Sequence, residues 1–164
     1  MEISPVPLNA GEYTFVEDLR KFYEQNRGFF QGREMYLLRN MSRGRGIGFF
    51  EAGNFYPDFI LWIVDGDRQF VTFIDPKGIR NLSGMDDPKV AFYRTIKELE
   101  GRLKDPTVVL NSFIVSSTPF KSVGWWAGDE KAEFAKHNVL FQVEDKLTYI
   151  SNMLRRVITT TESP

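Results

Sequence analysis

Two apolar runs joined by an Asp-Gly turn constrain the fold of this chain more than any other feature. The runs cover residues 59–64 and 70–74, and the segment between them reads DGDRQ. Asp-Gly between runs rich in β-branched and aromatic residues is a strong signal for a β-hairpin. Each run is almost continuously apolar, which is typical of strands that other elements cover on both faces. We therefore predict two paired strands in the core of the protein.

Three charged residues lie at one end of this predicted hairpin. Asp58 immediately precedes the first strand, and Asp75 and Lys77 end the second. Alternate residues of a strand point to the same side, so Asp75 and Lys77 should share a face. Burying two carboxylates without partners is costly, and a divalent cation is the simplest compensation. Pro76 has no N–H for a sheet ladder, so it predicts an interruption at which its carbonyl is free to point at a ligand.

This arrangement resembles the signature of the PD-(D/E)xK nucleases. YPDF at residues 56–59 is followed by DPKG at residues 75–78. The residues of both segments are similar to those of the restriction-endonuclease-like domain attached to DEAD/DEAH-type helicases and type III restriction subunits. The resemblance implies an endodeoxyribonuclease that depends on Mg²⁺ or Mn²⁺. It also implies a helicase or translocase domain, in the same chain or in a partner chain.

The resemblance assigns roles to the hairpin residues. It implies that Asp58, Asp75 and the Pro76 carbonyl hold the metal, and that Lys77 acts beside them in catalysis. The residues alone leave a simpler interpretation open. Asp75 and Lys77 would then form a surface ion pair, and Asp58 would cap the start of a strand.

A further carboxylate comes from the first predicted helix, residues 12–25. A turn of 100° per residue puts Glu12 on the apolar face of this helix and points Glu17 away. The family commonly supplies an additional metal-binding Glu from its first helix, so the resemblance implies Glu12, with Glu17 and Glu24 as fallbacks. Stabilisation of the helix N-terminus by Glu12 is the alternative that needs no catalysis.

The remaining chain alternates predicted strands and helices. The order of helix, three or more strands, helix and strand matches the αβββαβ core of the family. We therefore expect an α/β fold, with a mixed central sheet flanked by helices. Residues 1–11 should form an irregular lead-in, residues 12–158 the nuclease-like domain, and residues 159–164 a disordered tail. The later predicted elements are a strand at 33–41, a helix at 86–105 capped by Asp86 or Asp87, a strand at 107–117, a short helix at 129–138, a brief strand at 139–143 and a helix at 145–157.

Composition limits the setting in which the chain works. Its 164 residues, 42% of them hydrophobic, predict one domain with a substantial core. The absence of cysteine excludes disulfides, cysteine-ligated zinc and a thiol nucleophile, and it favours the cytoplasm. We expect neither a signal peptide nor contact with a membrane.

The charge distribution gives candidate DNA contacts. A net charge of −1 is unlike that of a free-standing nucleic-acid-binding protein. Positive charge is concentrated locally, however, because five arginines occur between residues 27 and 45. We predict that Arg43 and Arg45 contact DNA phosphates, and inference from the fold adds Lys89 on the second helix. A solvated rim is the alternative interpretation.

Two other functions stay open. One is a non-catalytic DNA-binding or docking module with a nuclease-like fold, which the weak net charge and the tryptophan pair at residues 125–126 favour. The other is a different metal-dependent phosphoryl enzyme, although no Walker-type loop is present to form its nucleotide pocket. His137, the only histidine, is predicted to cap a short helix.

Overall fold

The fold is α/β, with a five-stranded mixed sheet flanked by helices. The computed structural model describes residues 7–41, 46–49, 52–123 and 131–159. The strands lie in the order β1-β2-β3-β4-β5. The α-helices and strands in chain order are α1 (Ala10–Gln25), β1 (Arg33–Arg39), β2 (Phe59–Asp65), β3 (Arg68–Lys77), α2 (Phe92–Leu103), β4 (Val108–Ser116), α3 (Lys131–Lys136), β5 (Val139–Phe141) and α4 (Tyr149–Thr159). A short 3-10 helix, Phe120–Ser122, lies between β4 and α3.

The predicted hairpin is confirmed. Strands β2 and β3 pair antiparallel, and Asp65 lies opposite Arg68 at the closed end. Only Gly66 and Asp67 remain for the turn, and Gly66 takes a φ of +63°. Glycine populates positive φ at little cost, which is why Gly66 suits the first position of this two-residue turn.

The topology also follows the predicted element order. β1, β2 and β3 form an antiparallel meander, whereas β4 is parallel to β3 and β5 is parallel to β4. Parallel strands require a crossover connection, and α2 provides it between β3 and β4. The open end of the β2–β3 hairpin therefore lies beside the C-terminal end of β4.

Helices cover both faces of the sheet. On one face, α1 and α4 bury side chains such as Phe15, Leu19 and Leu154 against Leu61 and Ile74 of the hairpin. On the other face, Phe92 and Ile96 of α2 pack with Ile60 and Phe73. Strands covered on both sides explain why the hairpin runs are nearly continuously apolar. No helix of the described residues is long and apolar enough to cross a membrane.

Three helix starts differ from the predicted ones. The helix α1 begins at Ala10, two residues early, because the Asn9 side chain caps it. The helix α2 begins at Phe92 and not at residue 86, since the Asp87 carboxylate accepts hydrogen bonds from the backbone N–H groups of Ser83 and Lys89 and holds a turn. The last helix begins at 149 and not at 145, because residues 142–148 form turns.

The prediction for His137 is confirmed in its geometry. Its Nδ1 lies 2.9 Å from the backbone carbonyl oxygen of Glu133, in the last turn of α3. The imidazole ring also packs edge-on against the ring of Tyr93, in the first turn of α2. His137 therefore satisfies a helix end and lies outside the candidate site.

Candidate active site

The register of the hairpin brings the two aspartates together. The last registered pair of β2 and β3 is Phe59 with Ile74. One step further along each strand are Asp58 and Asp75, which therefore face each other across the open end of the hairpin. Opposed residues of an antiparallel pair have Cβ atoms about 5 Å apart and side chains on one face. A two-residue turn at the far end of the hairpin thus sets the carboxylate pair at this end.

Two prolines end the β2–β3 ladder just beyond the aspartates. Continuing the same register places Pro57 opposite Pro76. Neither residue has an N–H group, so no further ladder hydrogen bond can form between the strands. The strands are free to separate here, and the space between them opens to the surface.

The interruption predicted at Pro76 occurs only on the β2 side of its strand and is absent on the β4 side. β3 continues to Lys77, and Pro76 remains in register with Val115 of β4. Odd-numbered residues of β3 bond to β4, since Ser117 N donates to Lys77 O at 3.0 Å. The missing N–H of Pro76 therefore faces β2, where the ladder has already ended. Its carbonyl faces the same side, which agrees with the predicted direction toward a ligand.

Lys77 lies on the same side as Asp75, as predicted. Its Nζ is 2.6 Å from Asp75 Oδ2, and both side chains are largely buried. The Lys77 ammonium group does not lie along a hydrogen-bond direction of Asp75 Oδ2. This buried oxygen therefore has an ion-pair partner but accepts no hydrogen bond. The ammonium group also lies over the Phe55 ring, 5.3 Å from its centroid. An ion pair thus compensates the Asp75 charge while leaving one carboxylate oxygen without a hydrogen bond.

Asp58 has the most perturbed carboxyl group of the site. Burial is the largest cause, followed by the charge of the hydrogen-bonded Asp75 carboxyl, and together they raise the pKa of Asp58 to about 8. The charge of Glu12 acts in the same direction, whereas Lys77 opposes it. Two carboxylates this close disfavour joint ionisation unless a cation neutralises them.

Glu12 reaches the same pocket from the first turn of α1. Its side chain is buried, as its position on the apolar face predicted. Its Oε2 accepts a hydrogen bond from Asn9 N at 3.1 Å and lies 3.3 Å from Arg39 Nη2. The stabilisation of the helix N-terminus by Glu12 is confirmed, since Glu12 completes a capping box with Asn9. Glu12 also lines the pocket of the carboxylate pair, and its role as a metal ligand stays a prediction. The fallbacks Glu17 and Glu24 instead pair with Arg20 on the solvent side of the helix.

These side chains line an open pocket of about 670 Å³. Sequence reasoning missed Asn54, Tyr56 and Ser117 among its walls. The ring of Tyr56 is held against Gly48, where a Cβ atom would lie 2.4 Å from the ring. The Gly-Asn pair at residues 53–54 was an available signal, because both residues take positive φ and turn the chain back before YPDF.

The predicted DNA contacts have different outcomes. Lys89 lines the pocket. Arg43 and Arg45 lie outside the described residues, as does the tryptophan pair at 125–126. Of the neighbouring arginines, Arg33 pairs with Asp65 at 2.8 Å and Arg39 pairs with Glu12. These two guanidinium groups neutralise carboxylates and are not free for phosphate.

The donor set of the pocket suits a hard divalent cation. Asp58 and Asp75 offer carboxylate oxygens, the ligands that Mg²⁺ and Mn²⁺ prefer. The buried Asp75 Oδ2 accepts no hydrogen bond and has only its ion pair with Lys77, so a bound ion would add a second contact to this oxygen. Within the described ranges, no three His, Cys, Asp or Glu side chains already stand in ligand geometry. Two carboxylates, with Glu12 engaged by Arg39, are therefore what the pocket presents.

Comparison with known proteins adds no assignment. No protein-family model, no curated protein and no solved structure matches this chain.

Proposed function

We propose that this chain is a nuclease domain that hydrolyses DNA phosphodiester bonds with Mg²⁺ or Mn²⁺. The observation that carries the proposal is the meeting of Asp58, Asp75 and Lys77 at the open end of one hairpin, in a pocket wide enough for a phosphodiester. The spacing of these residues suits an acid pair for a cation beside an amine for an anion.

The topology supports a restriction-endonuclease-like core. A helix, an antiparallel three-stranded meander, a crossover helix and a parallel fourth strand follow one another in the order αβββαβ. The pocket lies at the end of β3 next to the first turn of α1, so the first helix can deliver a carboxylate to it. Glu12 occupies that position.

Each residue has a defined part in this proposal. Asp58 and Asp75 would hold the ion together with the Pro76 carbonyl, and Glu12 would join them if it exchanged its Arg39 partner for the ion. When bound, the ion supplies Lewis acidity toward the phosphate and neutralises its charge. Lys77, held beside Asp75 at the pocket wall, would stabilise the negative charge that develops on the phosphate. Lys89 would contact a phosphate at the pocket mouth.

Ion binding and cleavage test the proposal together. Titration calorimetry should show Mn²⁺ binding to the parent, and Asp58→Ala and Asp75→Ala should each weaken it severely. Asp105→Ala, which removes an exposed carboxylate that does not line the pocket, is the matched control. The parent should nick supercoiled plasmid in Mn²⁺, and both site variants should not. Equal Mn²⁺ affinity in the site variants and the parent would show that the carboxylate pair is not the metal site.

A non-catalytic DNA-binding or docking module is the second candidate. Asp75 already pairs with Lys77, and Glu12 already pairs with Arg39, so these charges have protein partners without a metal. A module of this kind would bind DNA without cutting it. If the parent binds plasmid but nicks neither duplex nor branched DNA in any divalent metal, this candidate replaces the first.

A further inference from the structure

An exposed aromatic pair lies on the part of the sheet's α2 face that the helix does not cover. Tyr36 of β1 and Trp62 of β2 are registered partners, so their side chains point to the same face. Tyr36 is 52% exposed and Trp62 is 38% exposed, although both belong to a sheet. The helix α2 packs over β4, and its Phe92 and Ile96 also cover Ile60 and Phe73, but Tyr36 and Trp62 stay exposed beyond them. Leu38, 46% exposed, lies beside the pair on β1.

The aromatic pair leads toward the carboxylate pocket. The next registered pair on this face is Leu38 with Ile60, and beyond it Asn40 N donates to Asp58 O at 2.8 Å. Trp62 and Asp58 are four residues apart on one strand, which corresponds to about 13 Å. Ile60 is buried beneath α2, so the exposed path from the two rings toward the proposed reaction site runs along β1, past Leu38 to Asn40.

We propose that Tyr36 and Trp62 form a stacking surface for unpaired nucleobases of the strand that is cleaved. The inference rests on the proposed function and narrows its substrate to nucleic acid with a single-stranded segment beside the scissile bond. Aromatic side chains bind single strands by stacking, which is tolerant of sequence. A duplex hides the faces of its bases in the helix stack and could not use these rings.

The charges around the two rings favour bases over phosphates. Tyr36 donates its hydroxyl hydrogen to Glu34 Oε2 at 2.7 Å, which fixes the ring and places a carboxylate beside it. That carboxylate disfavours a phosphate at the same place, so a bound strand would turn its bases toward the sheet. A chain of net charge −1 also gains little non-specific affinity from counterion release, and short-range stacking can replace part of it.

Binding of a short oligothymidylate in metal-free buffer tests the inference without cleavage. The parent should bind the single strand more tightly than the same strand annealed to oligoadenylate. Tyr36→Ala and Trp62→Ala should each weaken single-strand binding by at least about fivefold, with duplex binding and the salt dependence unchanged. Tyr36→Phe, which keeps the ring, should bind as the parent does. Tyr23→Ala is the matched control, since Tyr23 is 39% exposed but lies near the far end of α1.

Photo-crosslinking tests the same contact in the parent protein, so its result does not depend on whether the variants fold. Oligothymidylate carrying 5-iodouracil should crosslink to Tyr36 or Trp62, identified by mass spectrometry. Crosslinks only elsewhere, unchanged affinity in folded alanine variants, or no single-strand binding by the parent would each overturn the inference. An apolar protein segment would then be the occupant left for the two rings. Plasmid nicking tests the proposed function separately. Nicking with no role for the two rings would overturn the inference alone. Ring-dependent binding of single strands without nicking would overturn the proposed function, and the stacking surface would then belong to a module that binds DNA and does not cleave it.

Discussion

At the scale of single residues, the candidate site is a balance of unlike charges held close together. Asp58 and Asp75 repel each other when both are ionised, and Lys77 relieves only the second of them directly. The free energy of this arrangement therefore depends on what occupies the pocket and on pH. Both dependences can be measured without any assay of cleavage.

Asp58 should make stability fall as pH rises. Its folded pKa of about 8 lies above its ordinary value of 3.8, so the unfolded chain loses this proton first as pH increases. The free energy of unfolding should therefore be unaffected by Asp58 below about pH 4 and should decrease from there to about pH 8. Asp58→Asn should remove this decrease and be more stable than the parent at pH 8.

Urea unfolding across this pH range, in metal-free buffer, measures the effect. Asp67→Asn, in the exposed hairpin turn, is the control and should follow the parent curve. Adding Mn²⁺ at pH 8 should stabilise the parent but not Asp58→Asn, because an ion that binds only the folded state adds its binding free energy. Identical slopes for Asp58→Asn and the parent would mean that the Asp58 carboxyl is not held in this environment.

Lys77 should matter for cleavage and little for ion binding. Replacing it with Ala removes one preorganised charge near the phosphate, and such a loss typically lowers the rate by roughly 100-fold to 1000-fold. Its removal also takes a cation away from the ion, so the Mn²⁺ affinity should be kept or increased. Plasmid nicking and calorimetry on the same preparation measure the two effects, with a thermal melt in Mn²⁺ to check folding.

The control for Lys77 is Lys97→Ala. Lys97 pairs with Glu100 at 3.0 Å on α2 and does not line the pocket. The Lys97→Ala variant should nick plasmid at the same rate as the parent. Cleavage by Lys77→Ala as fast as by the parent would remove Lys77 from the proposed chemistry.

At the scale of elements, the hairpin turn controls the site from the opposite end of the strands. A two-residue turn sets the register in which Asp58 faces Asp75. A shift by one residue would move every side chain of a strand to the other face. Six cross-strand pairs separate the pair that closes the turn from the two aspartates. The backbone conformation at Gly66 therefore determines, through the register of these pairs, which residues face each other at the site.

Two glycine substitutions should have opposite effects on stability. Gly66→Ala places a side chain at a φ of +63° and should cost about 1–2 kcal/mol. Gly101→Ala places one in the helix α2, where the new Cβ meets no atom within 4 Å, and should stabilise by about 0.5–1 kcal/mol. Urea unfolding of both variants against the parent measures the difference. A stabilising Gly66→Ala would contradict the tight turn described here.

At the scale of the whole molecule, a near-neutral protein must concentrate positive charge to hold a polyanion. Arg33 and Arg39 are committed to carboxylates, which leaves Lys89 at the pocket among the predicted contacts that the structure describes. The arginines at 43 and 45 follow β1 in sequence and lie outside the described residues. Their predicted contact with DNA remains a prediction from the sequence.

Replacing Arg43 and Arg45 with Ser should flatten the salt dependence of DNA binding. Each phosphate contact contributes a slope of about one in a plot of log affinity against log salt, so the double variant should lose about two. Fluorescence anisotropy with duplex DNA over a salt series measures the slope. Lys136→Ser, on the exposed surface of α3, is the control. An unchanged slope in the double variant would place the DNA elsewhere.

The sequence by itself determined the hairpin, the element order and the shared side of Asp75 and Lys77. These features follow from local rules: apolar runs, a glycine turn and the two-residue period of a strand. The starts of α2 and α4 were misplaced because the helical pattern of apolar residues continues through turns. At α2 the Asp87 carboxylate satisfies nearby backbone N–H groups and delays the helix.

Only the tertiary structure decided which groups share the pocket with the hairpin. Gln142, just after β5, donates its side-chain N–H to Gly11 O at 3.1 Å, and this contact spans 131 residues of sequence. Contacts of this kind hold the first turn of α1, and with it Glu12, beside the end of β3. Arg39, which forms an ion pair with Glu12, also comes from an element that is distant in sequence, the strand β1. Such placements depend on how buried faces pack across the whole sheet, and no local spacing in the sequence encodes them.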